Sequence, residues 1–187
     1  WMPAYRDANE LGATRPLPPV FTGGDTEMNC VRHVMSAVRG HGWAHHIQRL
    51  MVLGNLGLTA GVDPHEMTEW MWSSFVDGAE WVMLPNVVGM ALHADGGRMA
   101  TKPYAAGGAY IDRMSDYCGG CRYDRRRRTG EDACPFTTLY WDFLDRHHDR
   151  FLRNARVARQ VRAGERLDDM ADVRARAQEV LVRLDRG

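Results

Sequence analysis

The sequence predicts an all-α fold. Apolar residues recur every three to four positions through residues 26–78 and again beyond residue 136, which is the spacing of a buried helix face. No stretch shows a convincing alternation of apolar and polar residues, the pattern of a half-buried strand. The 187 residues are enough for one domain with a hydrophobic core.

Residues 1–25 are predicted to form an irregular lead-in, because they hold four of the eight prolines together with Gly23 and Gly24. Residues 26–187 form the predicted helical unit. Its first helix begins near Thr26 and is broken by Gly40 and Gly42.

A second helical stretch is predicted over residues 43–60, where Gly54 and Gly57 would allow another helix to pack closely. Asp63 and Pro64 then mark a helix start, since aspartate caps helices and proline suits the first helical position. We expect this helix to run to Gly78.

Residues 79–116 are predicted to be rich in loops with short helices, and a loop region this long is usually functional. Beyond Phe136 the apolar periodicity returns. It predicts three more helices, over residues 137–147, 149–163 and 167–184.

Composition sets few limits on function. The 24 basic and 24 acidic residues give no net charge, which argues neither for nor against a nucleic-acid partner. No apolar run of 18 residues and no signal peptide are visible, so no membrane segment is expected. Reduced cysteines suit a cytoplasmic protein. Because the sequence opens on Trp1 rather than methionine, we expect it to be part of a longer protein.

The four cysteines are the most distinctive feature. Cys118 and Cys121 form a C-x-x-C pair, Cys134 precedes a proline, and Cys30 lies far upstream. A zinc ribbon normally has two such pairs, whereas one pair with two single thiolates fits a [4Fe–4S] cluster better. The alternative is a set of unrelated buried thiols, or one disulfide with two spare cysteines.

His45 and His46 are the candidate proton carriers. As neighbours on a helix they would point about 100° apart, so one can face a pocket while the other faces the core. Trp43 and Arg49 lie one turn away, near the face of His46. An exposed histidine pair is the alternative.

Three further features carry possible chemistry. Asp77 could form an ion pair with Arg49, and Tyr104 and Tyr110 flank two glycines that allow close approach to a ligand. Ordinary packing is the alternative for each. The basic run at residues 125–128 predicts either a solvated loop or a contact with DNA phosphates.

Several stretches closely resemble the iron–sulfur bacterial cryptochromes and photolyases, the prokaryotic (6-4) photolyase group. They are M-N-C at 28–30, W-A-H-H-I-Q-R-L-M at 43–51, E-W-V-M-L-P-N-V-V-G-M at 80–90, K-P-Y-A-A-G-G-A-Y-I-D-R-M-S-D-Y-C-x-x-C at 102–121 and A-C-P-F at 133–136. The resemblance covers about residues 20–155. It implies the C-terminal part of the family's helical FAD-binding catalytic domain. The family's antenna domain, which holds a lumazine, and its first flavin-binding helices are not in this sequence.

The resemblance also implies residue roles. The [4Fe–4S] ligands would be Cys30, Cys118, Cys121 and Cys134. The FAD-binding residues would be Trp43, His46, Arg49, Asp77, Met83 and Asn86. The catalytic residues would be His45, His46, Tyr104 and Tyr110, and Trp70 would carry electrons to the flavin.

The activity implied is light-driven DNA repair by a monomer. Blue light excites reduced FAD, an electron passes to a (6-4) photoproduct flipped out of the duplex, and His46 supplies a proton. Two alternatives remain: a blue-light photoreceptor with the same cofactors and no repair, and a structural iron–sulfur module that binds DNA.

Three positions depart from the family pattern. Met83 stands where an acidic residue is more common, and a thioether cannot relay a proton to the flavin. Met71 follows Trp70 where an aromatic residue would extend electron transfer. Phe21 is the nearest aromatic residue where the family has a tryptophan. We expect Met83 to weaken semiquinone formation or photoreduction of the flavin.

Overall fold

The computed structural model describes residues 3–186, and over this range the chain is all-helical, which confirms the predicted fold class. The helices are α1 (Asn29–His41), α2 (His46–Gln48), α3 (Asn55–Ala60), α4 (Pro64–Ser74), α5 (Glu80–Leu84), α6 (Gly108–Met114), α7 (Pro135–Arg146), α8 (His148–Leu152), α9 (Ala158–Gly164) and α10 (Met170–Arg186). Turns of 3₁₀ helix cover Pro19–Phe21 and Tyr117–Gly120, and π-helical segments cover Arg49–Gly54 and Pro85–Ala91. Two residues of the predicted lead-in, Trp1 and Met2, lie outside the described range, and the division at residue 25 stays a prediction.

Helix α1 begins three residues later than expected. The Thr26 hydroxyl accepts a hydrogen bond from the Met28 backbone N–H at 3.2 Å, which fixes the chain just before the helix. Gly40 lies within α1, so the prediction that it breaks the helix is wrong. Gly42 ends the helix with φ of 61°, a conformation that glycine adopts without strain.

The helical stretch after α1 is composite, and His45 precedes it instead of lying on it. The His45 ring caps α2 by accepting a hydrogen bond from the Ile47 N–H at 3.1 Å, and the Gln48 side chain accepts one from the His45 N–H at 2.8 Å. This reciprocal arrangement is a capping box formed by histidine and glutamine. The expectation that both histidines lie on one helix is therefore wrong.

The π-helical segment Arg49–Gly54 packs closely against the second π-helical segment, Pro85–Ala91. A Cβ placed on Gly54 would stand 2.9 Å from the Cβ of Ala91, so only glycine fits. This contact is the close packing expected of Gly54. Wide π-helical turns are rare and are frequent at functional sites.

The predicted start of α4 is confirmed. The Asp63 carboxylate accepts hydrogen bonds from the N–H groups of His65 and Glu66 at 2.8 and 3.2 Å. Glu66 itself accepts a hydrogen bond from the Leu17 N–H at 2.6 Å, which fastens the residues before α1 to this helix. The helix ends at Ser74, earlier than predicted.

The helix predicted over residues 149–163 is wrong, because α8 and α9 are separate. Asn154 lies between them and its side-chain oxygen accepts a hydrogen bond from the Arg156 N–H at 3.0 Å, a local turn that competes with helix. Its side-chain nitrogen donates to the Thr101 carbonyl at 2.9 Å. This long-range contact fixes the break.

Helix α7 lies at the centre of the core, in contact with α3, α6, α9 and α10. Phe136, Leu139 and Phe143 on it are at most 1% exposed. Within residues 3–186, no helix has the length and apolar character needed to cross a membrane.

Candidate functional site

The four cysteines come together around one cavity. Cys30 lies on α1, Cys118 on the 3₁₀ turn Tyr117–Gly120, Cys121 directly after that turn, and Cys134 at the start of α7. The cavity is also walled by the aromatic side chains of Tyr117, Tyr123 and Phe136. All four cysteines are free thiols, so the alternative with a disulfide does not describe this structure.

Burial of these thiols disfavours their ionisation unless a cation is bound beside them. Burial raises the pKa of Cys30 and of Cys134, and it raises that of Cys118 to about 11. The other three cysteines raise the pKa of Cys30 further. Thiols of this kind ionise when a metal neutralises them, because the cation reverses the cost of bringing negative sulfurs together.

Among residues 3–186, no group of three or more His, Cys, Asp or Glu side chains is placed to hold a metal ion. Four cysteine thiols are a donor set that zinc sites and [4Fe–4S] clusters both use.

Gly108, the first residue of α6, lies against the cysteine cavity. A Cβ on this residue would stand 2.7 Å from the Sγ of Cys134 and 3.1 Å from the Cβ of Arg125. Its N–H donates a hydrogen bond to the Thr137 hydroxyl at 3.0 Å. Only glycine therefore permits this approach of α6 to the thiol.

The basic run at residues 125–128 fastens the loop between the cysteines to its neighbours. Three of its arginines form ion pairs, and Arg126 is exposed. These pairs join Arg125 to Asp112 on α6, Arg127 to Asp132 within the loop, and Arg128 to Asp169 before α10. The run is thus mainly a set of internal ion pairs, which neither of the two interpretations of the sequence anticipated.

A second cavity, of about 120 Å³, lies between the two π-helical segments. Its polar lining comes from His46, Arg49 and Asn86. The apolar lining includes Met71 and Met83, so two of the positions that depart from the family pattern meet here. Four of the six predicted FAD-binding residues thus face one space.

Arg49 is held rigidly beside this cavity. Its guanidinium donates two hydrogen bonds to the Asp77 carboxylate, at 2.8 and 2.9 Å, and a third to the Ala44 carbonyl at 2.7 Å. The same group stacks 4.1 Å from the ring of Phe75, and half-exposed Trp43 lies 6.0 Å away. The Arg49 hydrogen bonds hold the pKa of Asp77 below its usual range.

His45 faces a different cavity from His46. This third cavity, of about 280 Å³, is lined by His45, Tyr110 and Tyr117. The Gln48 amide donates to the Tyr117 hydroxyl at 2.7 Å, which links the capping box of α2 to the turn that carries Cys118. Tyr104 is half-buried against the core and lines neither this cavity nor the one beside Arg49.

Trp70 is buried between two phenylalanines. Its ring centre lies 4.8 Å from that of Phe21 and 6.1 Å from that of Phe75. Phe21 therefore stands next to Trp70.

Asn55 is a residue that the sequence interpretation missed. It is fully buried, and its amide exchanges two hydrogen bonds with the Ala106 backbone, at 2.8 and 3.1 Å. This contact positions the backbone between Tyr104 and Gly108. The available signal was an amide inside the apolar stretch L-G-N-L-G-L, since a buried polar side chain needs a partner.

Comparison with known proteins gives one extensive match. The chain is 47% identical over 185 residues to a (6-4) photolyase of Agrobacterium fabrum, which covers 98% of the chain and 36% of that relative. It is also 29% identical over 107 residues to an uncharacterized protein of Acanthamoeba polyphaga mimivirus, covering 57% of the chain and 80% of that relative. No protein-family model matches the chain.

The chain thus spans about a third of the length of the (6-4) photolyase that it matches. Its all-helical fold agrees with the helical C-terminal domain that the sequence predicts. An identity of 47% across nearly all of its residues makes the chain similar to part of a photolyase, which is consistent with a C-terminal segment of a photolyase-family protein.

Proposed function

We propose that the protein carrying this chain repairs (6-4) photoproducts in DNA by light-driven electron transfer from FAD. The observation that carries the proposal is the cavity shared by His46, Arg49 and Asn86, in a chain 47% identical to a (6-4) photolyase. FAD, when bound and reduced, supplies the electron that light drives into the lesion. Damaged DNA is the proposed partner.

The residues present suit one side of a flavin ring. The Asn86 amide nitrogen donates to the Val82 carbonyl at 2.8 Å, which leaves its oxygen available to accept a hydrogen bond. Arg49 is already fixed by Asp77, so it presents a positive charge without losing further side-chain freedom on binding. The cavity of about 120 Å³ is smaller than the roughly 300–1,000 Å³ of complete ligand sites, so these residues form one wall of the site.

The proposed proton donor is His46. Its ring lines the cavity beside Arg49, whereas His45 uses one ring nitrogen to cap α2 and lines the cavity beside Tyr110. His45 and Tyr110 would accordingly position the lesion, and His46 would deliver the proton. An imidazole suits this role because its ordinary pKa lies near neutral pH.

The four cysteines are proposed to hold a [4Fe–4S] cluster. The supporting observations are the common cavity, the four free thiols and the close approach of Gly108 to Cys134. The cluster would join α1, the C-x-x-C turn and α7, elements far apart in the sequence, and so stabilise the fold around the flavin site.

Replacing His46 with alanine tests the proposal in the complete natural polypeptide that carries this sequence. We expect His46→Ala to retain FAD and to lose repair of (6-4) lesions by about 100-fold, the scale for removing a positioned acid–base group. The measurement is lesion content by mass spectrometry after illumination. His65→Ala, at an exposed position in the first turn of α4, is the control and should repair normally. Full repair by His46→Ala across neutral pH would remove His46 from the mechanism.

A further inference from the structure

The stretch between Asp149 and Glu165 carries five arginines and no acidic residue. Its first arginine, Arg150, forms an ion pair with Glu10. The other four are exposed, and together we call them the arginine face: Arg153, Arg156, Arg159 and Arg162. Because the whole chain has no net charge, this excess of positive charge is local.

The core holds the arginine face toward solvent. Val157, Ala158 and Val161 are buried, and α9 packs against α7. Arg159 and Arg162 lie three positions apart on α9, about one helical turn from each other, and both are exposed. The apolar side of α9 therefore fixes the direction in which its arginines point.

The arginine face has no carboxylate of its own. Within residues 3–186, none of its guanidinium groups forms an ion pair or a hydrogen bond, whereas Arg174 on α10 binds both oxygens of Asp145 at 2.6 and 2.8 Å. The acids at the two ends of the stretch bind the ring of His148 instead, Asp149 at 2.9 Å and Glu165 at 2.8 Å. Four positive charges are thus available to an anionic partner.

The arginine face is joined to the segment that carries Tyr104, a predicted catalytic residue. Asn154 lies within the arginine face, and its side-chain nitrogen donates to the Thr101 carbonyl at 2.9 Å. At most about 10 Å of extended chain separates Thr101 from Tyr104, three residues later. Lys102, the one lysine of the sequence, is exposed on the same segment. Positive charge therefore continues from this segment along α9.

We propose that the arginine face binds phosphates of duplex DNA outside the lesion, and so supplies affinity that does not depend on damage. This inference rests on the proposed function, which makes DNA the partner. Duplex DNA carries about one negative charge per 1.7 Å of its axis, which complements a row of arginines without counter-charges. Guanidinium groups also match phosphate oxygens with two parallel hydrogen bonds.

The test replaces Arg159 and Arg162 with glutamine in the complete natural polypeptide. Fluorescence anisotropy measures binding to an undamaged duplex of about 20 base pairs, between about 50 and 200 mM KCl. Each lost phosphate contact reduces the slope of log K against log salt concentration by about 0.9, so we expect this slope to fall by about 1.8. At about 100 mM KCl the affinity should fall at least about tenfold.

A duplex that contains a (6-4) photoproduct should lose affinity by the same factor, because phosphate contacts carry no sequence information. Arg159→Lys with Arg162→Lys keeps both charges and should retain most of the slope. Arg186→Gln removes one charge from the exposed end of α10, and as the control for net charge it should leave the slope unchanged.

An unchanged slope in the double glutamine variant would overturn the inference and indicate that an acidic protein or the rest of the polypeptide covers the arginine face. So would a loss of slope in Arg186→Gln as large as that in Arg159→Gln alone. Repair is a separate readout. The expected slopes in a protein that leaves the lesion unrepaired would support this inference and contradict the repair proposal, whereas normal repair with unchanged slopes would overturn this inference alone.

Discussion

At the scale of single residues, Gly108 is the tightest constraint on the cysteine cavity. We expect Gly108→Ala to lower the iron and acid-labile sulfide content of the anaerobically purified protein, because the new methyl group would stand 2.7 Å from the Sγ of Cys134. Gly107→Ala is the matched control, since a Cβ there makes only an ordinary contact with Thr137 at 3.4 Å.

The expected content is about four irons per chain in the wild type and in Gly107→Ala, and at most half of that in Gly108→Ala, as one cubane site predicts. Equal iron content in the two alanine variants would show that the approach of α6 to Cys134 does not limit the cluster.

The sequence predicted which residues line the cysteine cavity better than it predicted the local structure around the site. The spacing of the cysteines, together with the resemblance, indicated four residues that do line one cavity. The capping role of His45 and the buried amide of Asn55 were missed, because each depends on backbone groups whose positions are set by folding. The FAD, cluster and catalytic roles assigned to individual residues stay predictions.

At the scale of elements, the loop between Cys121 and Cys134 depends on its arginines. Arg128 pairs through Nε with both carboxylate oxygens of Asp169 at 2.8 Å, and its carbonyl accepts a hydrogen bond from the Thr138 hydroxyl. We expect Arg128→Gln to release iron to a chelator several-fold faster than the wild type, since the partly buried pair anchors the loop to the start of α10.

Arg126→Gln is the control for this loop, because Arg126 belongs to the same run and its side chain is exposed. It should release iron at the wild-type rate. If the run served mainly to contact phosphates, both variants would weaken DNA binding to a similar extent and neither would change iron release.

The junction of α7 and α8 should weaken in acid. Burial, reinforced by Arg146 and Arg150, lowers the pKa of His147 to about 4, and its ring packs between Phe143 and Phe151. The unfolded histidine binds a proton below about pH 6.5 while the folded one stays neutral. This contribution to stability is therefore complete above about pH 6.5 and is lost as the pH falls towards 4.

Between pH 7.5 and pH 5 the wild-type junction should lose local stability, and we expect the loss to be about 1–2 kcal/mol smaller in His147→Phe. The measurement is hydrogen exchange of the backbone amides in α7 and α8, corrected for the pH dependence of the intrinsic exchange rate. His148 is the opposite case, because Asp149 and Glu165 raise its pKa, so its contribution is complete at low pH and is lost as the pH rises. His148→Gln should therefore weaken the junction more in acid than at neutral pH. Identical pH profiles for the wild type and His147→Phe would contradict this account.

Helix type was easier to predict than helix extent. Apolar periodicity correctly indicated α1, α4, α7 and α10, which bury one continuous face. It merged α8 with α9, because the break depends on the hydrogen bond from Asn154 to the Thr101 carbonyl, 53 positions away. Periodicity within a helix carries no information about a contact of that range.

At the scale of the whole molecule, the chain provides a scaffold in which two cavities share connected walls. The π-helical segment Arg49–Gly54 follows directly from α2, and Gln48 of α2 contacts Tyr117 on the turn that carries Cys118. The cavity beside Arg49 and the cysteine cavity are thus joined through a short set of contacts. The all-α class followed from the sequence, whereas this connection required the folded chain.

Light-dependent repair by the complete natural polypeptide is the measurement that tests the central claim most directly. An oligonucleotide with a single (6-4) photoproduct is incubated anaerobically with the flavin-containing, reduced protein, in blue light and in darkness, and the lesion is quantified by mass spectrometry. We predict conversion to the original bases in the light, none in the dark, and one lesion repaired per turnover. A protein that binds flavin and iron, responds to blue light and leaves the lesion unchanged would contradict the account and indicate a photoreceptor.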